Sequence, residues 1–157
     1  MDSPGLFADL AAQRTCWHPV AFGSELGDRP LAADLLGEPL VVWRGAGGAP
    51  RAMSDLCVHR GTALSLGWIQ GEELVCAYHG WRYGADGRCV AIPQKEDPTS
   101  VPAKARVRAF PVQERYGLIW VALEEPRWPP ACSPRPCRCW PTCWLCAGSR
   151  PSSSACS

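Results

Sequence analysis

Two thiols and two imidazoles stand out by type and spacing. Cys57-Val58-His59 and Cys76-Ala77-Tyr78-His79 each place one Cys beside one His, and sixteen residues separate the two strings. Each string can put a thiolate and an imidazole at one loop tip, and two such loops can clasp a compact four-ligand site. The chain has only three histidines, and two of them fall in these strings. Ordinary core Cys and His residues are therefore a poor explanation. A structural zinc site of two Cys and two His is one outcome, but zinc modules usually pair like with like, as C-x-x-C or H-x₃₋₅-H. A mixed pair on each loop suits a [2Fe–2S] cluster, in which one iron takes Cys57 and Cys76 and the other takes His59 and His79. The chemistry is then one-electron transfer. Colour separates the two, since the iron protein is red-brown and the zinc protein colourless.

The segments around these strings have the pattern of short strands. Leu40-Val41-Val42-Trp43 is a buried-type run ended by Gly45-Ala46-Gly47-Gly48, and Arg51–Ser54 can pair with it as a hairpin. Leu74-Val75-Cys76, Trp81-Arg82-Tyr83 and Arg88–Ile92 follow, with a strong turn signal at Asp86-Gly87 between the last two. Val107–Phe110 and Leu118–Ala122 are expected to pair around Tyr116-Gly117. Before them, Leu6, Phe7 and Leu10 predict a short helix over residues 6–13, with Asp2 or Ser3 as its cap. Trp17-His18-Pro19-Val20 continues in extended form, and Leu31–Leu36 is expected to form a short helical turn closed by Gly37. Many short strands with Gly-rich turns predict a mostly β fold, a small antiparallel sandwich or barrel.

With 157 residues there is room for one domain with a proper core, and 46% hydrophobic residues exclude a disordered chain by composition. A formal charge of +1 gives no sign of a nucleic-acid or membrane-surface binder. No basic leader and no run of ~20 apolar residues is present, so a cytoplasmic protein is expected. The charge is unevenly placed: residues 126–157 hold four arginines and no acid. That segment also holds six of the ten cysteines and seven of the sixteen prolines, with no Val, Ile, Phe, Tyr, Asp or Glu. Cys137-x-Cys139 and Cys143-x-x-Cys146 lie close together, but no His or acid supports a metal module there. The expected division is a domain over 1–125 and an unstructured Pro/Cys/Ser-rich tail over 126–157. The tail has the composition of GC-rich codons read in the wrong frame, which sequencing the gene past codon 125 would test.

Cys57-Val58-His59-Arg60-Gly61 followed by Cys76-Ala77-Tyr78-His79-Gly80-Trp81 resembles the Rieske domain of the Rieske non-haem iron oxygenases, which hydroxylate or demethylate aromatic compounds. The similarity runs over about residues 14–125, including Trp17-His18-Pro19-Val20, the turn at Gly84–Cys89, and Ile92-Pro93, which resembles a proline loop covering the cluster. The resemblance implies a Rieske-type β fold with two cluster-binding loops and one [2Fe–2S] cluster on Cys57, His59, Cys76 and His79. Arg60, Gly61, Gly80, Trp81 and Pro93 are implied to surround it. Gly61 and Gly80 would let backbone N–H groups approach the sulfides, and Arg60 would offset the cluster's charge. Trp81 and Tyr83 are expected to be core rather than redox relays, Cys16 and Cys89 buried small hydrophobes, and His18 an ordinary hydrogen-bonded residue.

Rieske subunits of respiratory complexes carry an extra Cys in each loop. Thr62 and Tyr78 stand at those positions, and Trp81 stands where those proteins place a hydroxyl. With fewer hydrogen bonds to sulfur, the potential is expected near the low end of the range of about −150 to +300 mV. The resemblance also implies an electron-donating reductase or ferredoxin as partner and homo-oligomers, as in the family. It implies a mononuclear non-haem Fe(II) held in a second domain by two histidines and a carboxylate. No histidine follows His79, so this chain is expected to lack that site, to hydroxylate nothing alone, and to be the electron-accepting half of a truncated oxygenase large subunit. The alternative is a stand-alone Rieske-type ferredoxin, less favoured because of the extension over residues 14–36.

Overall fold

A computed structural model describes residues 10–126. A short helix, α1 (Leu10–Arg14), precedes ten strands: β1 (His18–Phe22), β2 (Leu31–Leu35), β3 (Glu38–Arg44), β4 (Pro50–Ser54), β5 (Trp68–Gln70), β6 (Glu73–Val75), β7 (Arg82–Tyr83), β8 (Cys89–Ala91), β9 (Val112–Arg115) and β10 (Leu118–Val121). All pairing is antiparallel, in three small sheets ordered β1-β10-β9, β2-β3-β4 and β5-β6-β7-β8. The start of the helix expected over 6–13, with its caps, lies outside the described residues, and so does the tail beyond Pro126. Among the described residues no helix is long and apolar enough to cross a membrane.

The middle sheet organises the rest. Side chains alternate across a strand, and β3 is buried on both faces, which explains why Leu40–Trp43 is apolar throughout. Leu40 and Val42 join Ala52, Phe110, Ile119 and Val121 in one core. Val41 and Trp43 point the other way and join Met53, Leu64, Leu74, Tyr83, Cys57 and Cys76 in a second. Both thiols of the two-loop motif therefore sit in the second core, backed by a completely buried Trp43. The Gly-rich turn after β3 is tied to the β5–β6 turn, since the Gly47 N–H donates to Glu72 Oε1 at 2.5 Å and the Ala46 N–H to the Gly71 carbonyl at 3.0 Å. This clamp fixes the four-stranded sheet against the middle one.

Two local expectations give way. Leu31–Leu35 is a strand, paired in register with β3 from Leu31–Val42 to Leu35–Glu38. Leu36 and Gly37 both have positive φ, 53° and 79°, which is the two-residue hairpin turn that matches strand twist, not the end of a helical turn. The partner of β10 around Tyr116-Gly117 is Val112–Arg115 rather than Val107–Phe110. Residues 107–110 run along the free edge of β4 instead: the Phe110 N–H donates to the Ala52 carbonyl at 2.9 Å and the Ser54 N–H to the Arg108 carbonyl at 2.8 Å. The hairpin of Arg51–Ser54 with β3, the extended start at His18 and the Asp86-Gly87 turn are found as the sequence predicts.

Candidate metal centre

Both loops are closed by the same hydrogen bonds. In the first, the Cys57 N–H donates to the Thr62 carbonyl at 2.9 Å and the Gly61 N–H to the Cys57 carbonyl at 2.8 Å. In the second, the Cys76 N–H donates to the Trp81 carbonyl at 2.9 Å and the Gly80 N–H to the Cys76 carbonyl at 3.0 Å. Each loop thus needs a left-handed residue four places after its cysteine, and Gly61 (φ 68°) and Gly80 (φ 70°) supply it. Their own N–H groups close the loops and are not free to approach a sulfide.

The loops bring like groups together. Cys57 and Cys76 are both buried in the second core, and Cys57 is near enough to act on the Cys76 thiol. The His59 and His79 rings meet edge to face, with centroids 4.5 Å apart. The Nδ1 atoms of both rings are buried and have no hydrogen-bond partner. Two buried polar atoms without partners are costly, and here they belong to adjacent imidazoles beside two free thiols. Among the described residues no three metal-ligating side chains gather round a single point. The four divide instead into a sulfur pair and a nitrogen pair.

Burial, and then the neighbouring Cys57, push the Cys76 thiol above its ordinary range. Burial, and then His79 and Arg60, hold His59 below its own. A metal held here would therefore displace the Cys76 thiol proton and find the His59 ring already unprotonated. Arg60 is exposed, and its charge reaches the site through His59.

Tyr83 is the residue whose part in the site the sequence did not show. It is core, as expected, but its hydroxyl lies 3.0 Å from Cys57 Sγ. Burial and that contact raise the phenol well beyond its usual range, so it stays protonated and donates once Cys57 is a thiolate. Gln94 is a second addition: its Nε2 donates to the His79 carbonyl at 2.6 Å. Pro93 is exposed and lies over the second loop, its Cγ 3.4 Å from where a Gly80 side chain would begin. Trp81 stacks on His59 and also packs against the second core. Cys89 is buried and donates to the Ala91 carbonyl at 3.4 Å. Cys16 is only half-buried and lies just past the end of α1, donating to the Ala12 carbonyl at 3.4 Å. His18 is hydrogen-bonded to the Gln13 carbonyl at 2.9 Å.

Residues 16–111 match the family model of the Rieske [2Fe–2S] domain. The chain belongs to the Rieske [2Fe–2S] domain family. The methylxanthine N1-demethylase NdmA of Pseudomonas putida is 44% identical over 117 residues, covering 71% of this chain and 33% of that protein. The phenoxybenzoate dioxygenase subunit alpha of Ectopseudomonas oleovorans is 37% identical over 113 residues, covering 72% of this chain and 28% of that one. In solved structures, NdmA of P. putida superposes with a TM-score of 0.68 over 73% of this chain and 36% of its own. Dicamba monooxygenase does so with a TM-score of 0.68 at 37% identity, over 73% of this chain and 35% of its own. The chain spans about a third or less of the curated relatives it matches. It is homologous to the Rieske domain of oxygenase large subunits.

Proposed function

We propose that Cys57 and Cys76 ligate one iron of a [2Fe–2S] cluster, that His59 and His79 ligate the other, and that the domain accepts and passes single electrons. The segregation of a buried thiol pair from an imidazole pair with orphaned Nδ1 atoms carries this reading. When bound, the cluster supplies a one-electron redox couple. The chain's residues do the rest. The second core keeps water from the thiolates, Tyr83 donates to Cys57 Sγ, and the half-exposed histidines form the edge through which an electron enters or leaves.

The demethylase and dioxygenase relatives have much more sequence than this chain, which favours an electron-accepting domain of an aromatic-compound oxygenase over a stand-alone ferredoxin. A flavin- or plant-type-ferredoxin-bearing reductase in the cytoplasm would be its donor. A mononuclear Fe(II) site would lie in a further domain, because the sequence after His79 holds no histidine. We place the domain boundary near residue 125. Coulometric titration of the cluster-loaded chain tests the reading. One electron per chain, taken up and returned over repeated cycles, is expected, with no hydroxylated product from aromatic substrate and oxygen. Irreversible bleaching on the first reduction, or a hydroxylated product from the chain alone, would refute it.

Tyr83 gives a finer test. A donor to thiolate sulfur stabilises the reduced, more negative state, so removing it lowers the potential. A differential of about 1 kcal/mol for one hydrogen bond is about 40 mV for one electron. Tyr83→Phe is therefore expected to keep the cluster and shift the midpoint about 40 mV more negative in voltammetry. The same bond moderates the low potential expected from Trp81 standing in place of a hydroxyl.

A further inference from the structure

We propose that Trp81 is the positioning residue for His59, reaching from the second loop to set the ring plane of the first loop's histidine. The inference rests on His59 being a cluster ligand. The indole and imidazole lie parallel, 5° apart, with centroids separated by 4.6 Å. The two residues belong to different loops, and their rings connect them. Trp81 is itself fixed twice: its carbonyl closes the second loop by accepting from the Cys76 N–H, and its ring packs on the second core. It is therefore a rigid wall and not a mobile surface ring.

His59 needs such a wall more than His79 does. The second loop is held at His79 by Gln94 on its carbonyl and by the Tyr78 ring, 3.9 Å from the imidazole centroid. The ring contacts of His59 are Trp81 and the edge of His79, and its Nδ1, like that of His79, has no hydrogen-bond partner among the described residues. A metal ligand whose outer partners are missing is free to swing, and its bond to the metal varies with it. A flat ring held parallel removes that freedom without any hydrogen bond, since offset stacking favours one plane. The requirement is for a flat ring at position 81 and not for an indole.

The test compares Trp81→Leu, which fills space without a flat face, with Trp81→Phe, which keeps one, in the full cluster-loaded chain. Pulsed EPR of the reduced state reads the two ligand-nitrogen couplings separately from iron and sulfide content. In Trp81→Leu, one nitrogen coupling is expected to shift or broaden while the other stays, with iron and sulfide unchanged. Trp81→Phe is expected to restore the native pair. A Leu variant that fails to load beside a Phe variant that loads normally also supports the flat-ring requirement. Unchanged couplings in Trp81→Leu, a disturbed coupling in Trp81→Phe, or failure of both variants to load would overturn the proposal. A native chain that shows no nitrogen couplings at all would sink the ligand assignment beneath it instead.

Discussion

Cys57→Ala and His79→Ala are each expected to leave the chain without its cluster, while Cys89→Ala retains it. The first two remove one member of the sulfur pair and one of the nitrogen pair, and an iron left with a single protein ligand is not held. Cys89 makes the contrast informative. It is also a buried thiol of the second core, close enough for Cys57 to act on its charge. It is nonetheless turned to the Ala91 carbonyl. If burial near the site were enough, Cys89 would matter as much as Cys57. Because ligand binding is part of folding free energy, the two ligand variants should also unfold at lower denaturant than the loaded native chain. The visible spectrum and iron content after reconstitution check this, and an intact spectrum in either ligand variant would contradict the assignment.

Gly87→Ala is expected to destabilise the loaded chain by about 2–5 kcal/mol. Two separate strains add. Gly87 has φ +80°, where a side chain costs roughly 1–2 kcal/mol. An added Cβ would also lie 2.1 Å from the Val107 carbonyl oxygen, and forced overpacking costs about 1–3 kcal/mol. That carbonyl belongs to backbone already engaged, since the Val107 N–H donates to the Gly87 carbonyl at 2.8 Å. The segment that crosses there also receives the Cys89 N–H at Ala105, so it cannot move away alone. Gly48 is the control. It has nearly the same φ, +78°, but nothing lies within 4 Å of an added Cβ. Gly48→Ala should therefore cost only about 1–2 kcal/mol. Urea unfolding of the two variants compares them, and equal losses would show that the close approach to Val107 is not a constraint.

The four candidate ligands were legible because each short string pairs a Cys with one of the chain's three histidines in a tight local spacing. The run Leu40–Trp43 was legible because both its faces are buried, so no alternation interrupts it. Leu31–Leu35 was not. Ala and Asp are poor strand formers, and a Gly at position 37 resembles a helix end; pairing with β3 decides the matter. Val112–Arg115 is half-exposed and polar, so the more apolar Val107–Phe110 drew the pairing that Val112–Arg115 makes. Tyr83 and Gln94 could not be placed at the site from sequence. Their contacts cross 26 and 15 residues, and only the folded loops bring a phenol to Cys57 or an amide to His79.

The most direct measurement is EPR of the reconstituted chain after dithionite reduction, beside assays for iron, acid-labile sulfide and zinc. Iron and sulfide in equal amount, with a reduced-state signal coupled to two nitrogens, are the expected result. Zinc in place of iron, or iron whose signal couples to no nitrogen, would contradict a cluster held by two thiolates and two imidazoles.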